Sequence, residues 1–176
     1  MTQKNTKKIA YASILTAFGI LIPMIIPVKI IIGPASFTLA SHVPLFLATF
    51  ISVPVAIFVG FGTTLGFFMA GFPIVIVMRA LSQIIFAFIA SIILKKSPQW
   101  IEQPLKTFIF GLLINLIHGL GELIAVYLMT SPAGGDPKYL LSLVLLVGVG
   151  TVIHGLVDFY LALFLWKSLL KANLLK

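Results

Sequence analysis

Apolar residues fill the chain in long runs, separated by short polar or proline- and glycine-containing stretches. The first run is roughly Ile9 to Pro27, followed by Val28-Lys29 and a short mixed stretch through Pro34. The second covers about Ala35 to Ile51 and is weakened by His42 and Pro44. The third, about Pro54 to Ala70, is rich in glycine, and the fourth extends from about Pro73 to Leu94. A polar loop, Lys95 to Gln103, precedes the fifth run, about Pro104 to Met129. The breaker cluster Ser131-Pro132-Ala133-Gly134-Gly135-Asp136-Pro137 divides it from the sixth, about Tyr139 to Trp166. Runs of about 17–25 residues match a hydrocarbon core of roughly 30 Å. The pattern predicts an all-α integral membrane bundle of about six transmembrane helices. It forms one domain over residues 1–176.

Composition removes the soluble alternatives. The chain is 60% hydrophobic and 9% charged, against about 25% charged in a soluble domain. A chain this short cannot hide so much apolar surface from water. It has no cysteine, which excludes disulfides and thiolate metal sites. The net charge of +8 does not point to nucleic acid, because the basic residues sit between apolar runs rather than along one face. That is the distribution of helix ends at an anionic membrane surface. Lys4, Lys7 and Lys8 precede the first run in the order of a signal peptide, but no cleavage-site pattern follows, so the run reads as a retained helix.

The lysines also set the orientation. With the N-terminus inside, Lys4, Lys7, Lys8, Lys95, Lys96, Lys106, Lys167, Lys171 and Lys176 fall on the cytoplasmic side. Lys29 and Lys138 then fall outside. The positive-inside rule places both termini in the cytoplasm.

Ionisable residues inside apolar helices are costly and mark function by default. Here they are His42, Arg79, His118, Glu122, His154 and Asp158. Asn115, His118 and Glu122 are spaced three and four apart and share one helix face, and Gln83 lies one turn from Arg79. With the expected orientation, these groups from three helices meet in the outer half of the bundle. His42, Arg79, Gln83, Asn115, His118 and Glu122 are therefore the candidate substrate-binding residues of a cavity open to the outside. The bland alternative is an Arg79–Glu122 pair that only neutralises itself.

A near-repeat, His118-Gly119-Leu120-Gly121-Glu122 and His154-Gly155-Leu156-Val157-Asp158, sets a histidine and a carboxylate four apart twice. On antiparallel helices the two carboxylates fall about 15 Å apart along the membrane normal at 1.5 Å per residue. The four groups are then not one metal site, and Asp158 is expected to serve the cytoplasmic side by bonding a lysine or a partner subunit. In the first helix, Ser13 with Ala17 and Ala12 with Thr16 form small-x-x-x-small pairs, which permit close helix approach in lipid. No phosphate-binding Gly-x-x-x-x-Gly-Lys-Ser/Thr loop occurs, and no inverted repeat of broken helices marks a secondary transporter.

The basic start leading into Lys7-Lys8-Ile9-Ala10-Tyr11-Ala12-Ser13-Ile14-Leu15-Thr16-Ala17 resembles the substrate-binding S components of energy-coupling factor (ECF) vitamin transporters. So does the stretch from Ile32-Gly33-Pro34 to Ser41-His42-Val43-Pro44. The resemblance covers the whole chain. Ser13 and Ala17 match the family's alanine-x-x-x-alanine docking pair, with serine in place of one alanine. Thr2 stands where the nickel and cobalt branch has histidine. The resemblance implies a bacterial plasma-membrane protein that binds a vitamin or precursor from outside. It then joins a transmembrane coupling subunit and two ABC-type ATPases, which use the ATP, so this chain needs no cofactor of its own. Ala12, Ser13, Thr16 and Ala17 become docking residues, and the first outer loop, Lys29 to Ser36, becomes a lid together with the loop after the fifth helix. The polar set suits a pyridine or pyrimidine such as niacin, pyridoxine or hydroxymethylpyrimidine, with pantothenate also within range. A membrane-embedded metal-dependent hydrolase using His118, Glu122 and His154, or a scaffold without ligand, are the alternatives.

Overall fold

The computed structural model describes residues 3–33, 35–132 and 135–174. Thr2, Pro34, Ala133, Gly134 and Lys176, which enter the expectations above, lie outside the described residues. The order of elements is α1 (Gln3–Ile25), β1 (Lys29–Ile32), β2 (Ala35–Thr38), α2 (Val43–Ile51), α3 (Val53–Met69), α4 (Ile74–Lys96) and α5 (Pro104–Thr130). The last run holds α6 (Pro137–Leu143), a π-helical segment (Val144–Val149) and α7 (Gly150–Lys171). Pro54, Pro104 and Pro137 lie in first helical turns, where a missing N–H breaks no hydrogen bond. Lys95 and Lys96 occupy the last turn of α4, where cations face unpaired carbonyls.

Among the described residues, four stretches are long and apolar enough to cross a bilayer: Asn5–Ile25, Ile74–Lys96, Pro104–Thr130 and Pro137–Lys171. The shorter α3 is also apolar. Large side chains such as Phe18, Phe58, Phe61, Leu105, Leu128 and Phe164 are exposed on the outside of the bundle. So extensive an apolar exterior belongs in lipid, and the chain is a helical membrane protein.

The second apolar run departs from expectation. Its first half is not helix but the second strand of an antiparallel hairpin, with Lys29 opposite Thr38 and Ile32 opposite Ala35. Ile30, Ile31 and Ile32 are β-branched and favour the strand. A two-residue connection closes the hairpin, and its first residue, Gly33, has a φ of 56°, a conformation open to glycine without strain. Helix α2 begins only after His42 and spans nine residues. Pro44 in its first turn is the local signal for that late start.

Glycines set the helix spacings. A Cβ at Gly62 would stand 2.7 Å from the Thr16 side chain, so α1 and α3 touch almost backbone to backbone. Helix α5 packs between α4 and α7, and a Cβ at Gly119 would meet the Gly148 carbonyl of the π segment at 2.8 Å. Phe46, Phe86, Phe110 and Phe159 form an aromatic core with ring separations of 5.2–6.0 Å. The polar cluster rests on this layer, with Phe86 4.5 Å from the His118 ring.

Candidate functional site

Three histidines, two carboxylates and one guanidinium meet at the centre of the bundle. Glu122, from α5, is 1% exposed and Arg79, from α4, is 4% exposed. Arg79 Nε and Nη2 donate to Glu122 Oε2 at 3.0 and 2.7 Å. Thr151, in the first turn of α7, donates to the same oxygen at 2.8 Å. The other oxygen, Oε1, accepts from Gln83 Nε2 at 2.8 Å and lies 3.3 Å from His118 Nε2. Arg79 also reaches the hairpin. Its Nη1 donates to Ser36 Oγ at 3.1 Å and its Nη2 to the Ser36 carbonyl at 3.2 Å. The guanidinium carbon lies 5.6 Å from the Phe37 ring centroid, within cation–π range.

A second carboxylate anchors the chain between hairpin and α2. Asp158 accepts the Ala40 N–H through Oδ1 and the His42 N–H through Oδ2, both at 2.8 Å. Its Oδ2 also lies 3.2 Å from His42 Nδ1 and 3.4 Å from His154 Nε2. Carboxylate oxygens only accept, so the Gln83 group facing Glu122 is its amide NH₂. That NH₂ is also 3.0 Å from His42 Nε2. His42 therefore accepts at Nε2 and donates from Nδ1 to Asp158.

This arrangement corrects the expectation for Asp158. It holds the backbone leading into α2, and the His42 ring touches both acids, with Nε2 3.9 Å from Glu122 Oε1. The axial estimate of about 15 Å compared backbone positions. Helical side chains lean towards their own N-terminus. On antiparallel α5 and α7, Glu122 and Asp158 therefore lean towards each other, and His42 fills the remaining gap.

A cavity of about 500 Å³ opens above this floor. His42, Arg79, Gln83 and Glu122 line it, as do Lys29, Ile31, Gly33, Ser36 and Thr38 of the hairpin region and Thr130 at the end of α5. Phe67 and Phe72 contribute a stacked aromatic wall, with centroids 4.6 Å apart. Asn115 and His118 do not reach the cavity. They are buried beneath it, where Asn115 Nδ2 donates to the Gly111 carbonyl at 2.8 Å. Ser36, Thr151, His154 and Asp158 join the network although helix spacing alone does not bring them to it. The His-x-x-x-Asp repeat was the available sign for the last two.

Among the described residues, two triads, His42–His118–Glu122 and His42–His154–Asp158, have ligand atoms close enough together for a metal ion. Both carboxylates are already hydrogen-bonded within the protein. Glu122 already accepts from Arg79, Gln83 and Thr151, and Asp158 from two backbone amides. A guanidinium 2.7 Å from the carboxylate would also repel a dication.

On the first helix, the two small-residue pairs separate. Ala12 is buried and Thr16 packs against Gly62, so that pair faces α3. Ser13 and Ala17 are exposed, on a stripe about 100° round the helix from that pair.

No family model and no solved structure matches the chain. It is, however, 43% identical over 178 aligned residues to the niacin transporter NiaX of Lactococcus lactis subsp. cremoris (strain MG1363). The alignment covers 98% of this chain and 80% of that relative. Identity at that level across a helical membrane chain that carries a small-residue first helix establishes the family: the chain belongs to the S components of the energy-coupling factor transporters.

Proposed function

We propose that this S component takes up a niacin-type vitamin, the pyridine carboxylate nicotinate, as the substrate-specific subunit of an ATP-driven importer. The observation that carries the reading is the unsaturated guanidinium in the cavity wall. Of the five N–H groups of Arg79, Nε, both of Nη2 and one of Nη1 are engaged with Glu122 and Ser36. One Nη1 N–H is left for a ligand. With Lys29 on the same cavity, it favours a carboxylate, while Phe67 and Phe72 offer a face to an aromatic ring. The relative's transport of niacin supports this ligand over pyridoxine, hydroxymethylpyrimidine and pantothenate.

In this reading both termini are cytoplasmic, about six helices span the bacterial plasma membrane, and the cavity opens outward beneath the hairpin. Lys8, Lys95 and Lys167 line a second cavity, between the start of α1 and the ends of α4 and α7, on the side the positive-inside rule assigns to the cytoplasm. The exposed Ser13–Ala17 face receives the coupling subunit, and two ABC-type ATPases supply the energy.

Titration calorimetry of the purified protein against nicotinate, pyridoxine, hydroxymethylpyrimidine and pantothenate tests the ligand. Saturable binding of nicotinate in preference to the other three is expected. Preference for another member of the panel would replace the ligand, and binding of none would remove the reading.

A further inference from the structure

The floor of the cavity carries a charge imbalance. Among the described residues, Arg79 is the buried cation and Glu122 and Asp158 are the buried anions. A carboxylate ligand at Arg79 adds another negative charge, and uncompensated charge away from water is costly. Lys29 is exposed at the cavity mouth, where it meets the ligand carboxylate from the solvent side but, screened by water, does not offset the excess of buried anions beneath. A proton is the remaining source of compensation.

The geometry shows where it would go. His42 is satisfied as a neutral ring, donating to Asp158 and accepting from Gln83. His118 is not. Its Nε2 faces Glu122 Oε1 at 3.3 Å and its Nδ1 faces Asn115 Oδ1 at 3.5 Å. The Asn115 orientation is fixed because its NH₂ donates to the Gly111 carbonyl. Both ring nitrogens thus meet acceptors, yet a neutral imidazole has one N–H. Gly155 of α7 leaves room for this pair: a Cβ there would collide with Asn115 Oδ1 and stand 3.1 Å from His118 Nδ1.

We propose that His118 is a proton-binding site loaded together with the ligand, so that an anionic ligand entering at Arg79 is taken up with one proton. This rests on the reading that the cavity binds a carboxylate. The ligand draws the guanidinium charge away from Glu122. A proton from a buffer acid in the solvent then adds to the Nδ1 lone pair of His118, a new N–H forms towards Asn115 Oδ1, the conjugate base stays in the solvent, and the imidazolium compensates Glu122 from below. The charged and titratable groups around His118 are Glu122 on α5, Arg79 on α4, His42 before α2, His154 and Asp158 on α7, and Lys29 at the mouth. Of the three histidine rings, that of His118 is the one with an acceptor within 3.5 Å of each nitrogen; His42 Nε2, though 3.9 Å from Glu122 Oε1, is met at 3.0 Å by the Gln83 NH₂ donor.

Calorimetry of the full chain with nicotinate, at one pH in two buffers of different ionisation enthalpy, counts the protons. Uptake of about one proton per nicotinate is expected, with the dissociation constant rising about tenfold per pH unit on the alkaline side. His118→Gln should abolish the uptake. If that variant does not fold, Asn115→Leu, which removes the second acceptor, should reduce it. Nicotinate binding without buffer dependence would overturn the proton site and leave the ligand reading intact. Undiminished uptake in His118→Gln would place the proton elsewhere, on the ligand or another ring, and overturn the assignment. Absence of nicotinate binding would overturn both.

Discussion

Arg79 serves three masters at once: Glu122 below it, Ser36 in the hairpin and the open cavity. A lysine can supply the charge but not the planar fork that meets all three. Arg79→Lys should therefore weaken nicotinate binding by at least about tenfold, read by calorimetry. The pair with Glu122 is buried, so removing one partner strands a charge. Glu122→Leu should destabilise the fold by about 3–5 kcal/mol, and Arg79→Leu combined with Glu122→Leu should restore much of that in thermal unfolding. If the double variant also keeps full nicotinate affinity, Arg79 is a structural partner and leaves the proposed site.

At the scale of elements, the hairpin is held from two sides. Ser36 ties its second strand to Arg79, and Asp158 of α7 holds the backbone at Ala40 and His42. Ala40 has a φ of 67°, a conformation that costs an alanine roughly 1–2 kcal/mol, so the anchor also maintains a strained exit from the strand. Asp158→Asn replaces one accepting oxygen by a donor that faces a backbone N–H. We expect a loss of about 1–3 kcal/mol in thermal stability, together with faster hydrogen exchange at the Ala40 and His42 amides. Unchanged exchange there would show that the hairpin is held by other contacts. Helices α1 and α3 are held differently, by the fit of Gly62 against Thr16 and of Gly19 against Thr63. Gly62→Leu should force them apart and lower the melting temperature.

For the whole molecule, the proposed functions lie on separate surfaces. Ser13 and Ala17 are exposed on α1 and line neither the ligand cavity nor its polar floor. Close approach through small residues is what favours helix contact in lipid, and an indole there would hold a partner helix several Å away. Ser13→Trp and Ala17→Trp should keep nicotinate affinity in the isolated protein while abolishing uptake in cells and co-purification with a coupling subunit. Full uptake by both variants would place the docking surface elsewhere. Ala12 and Thr16, which share the small-residue motif, are committed to α3, and bulky changes there should instead cost stability.

The solvent and most of the helices are legible in the order of residues. Apolar runs of bilayer length admit few other structures, because backbone polar groups in lipid must be paired within the segment. Prolines and lysines marked several ends of α3, α4 and α5, as local backbone geometry and helix-end charge require. The intramembrane positions of Arg79, Gln83, His118 and Glu122 also singled themselves out through the cost of burying them. What these residues touch is set by contacts that form when distant segments pack together. Whether residues 35–38 join a helix or a strand depends on Lys29–Ile32 being available to pair with them, a contact between segments that periodicity does not record. Ser36 and Thr151 are ordinary letters until the hairpin and α7 bring them to Arg79 and Glu122, and Asp158, conspicuous as a buried acid, finds its partners, the Ala40 and His42 amides, only in the folded chain. Axial spacing put the two carboxylates far apart. The lean of side chains towards their own helix starts, on antiparallel helices, brought both to one imidazole.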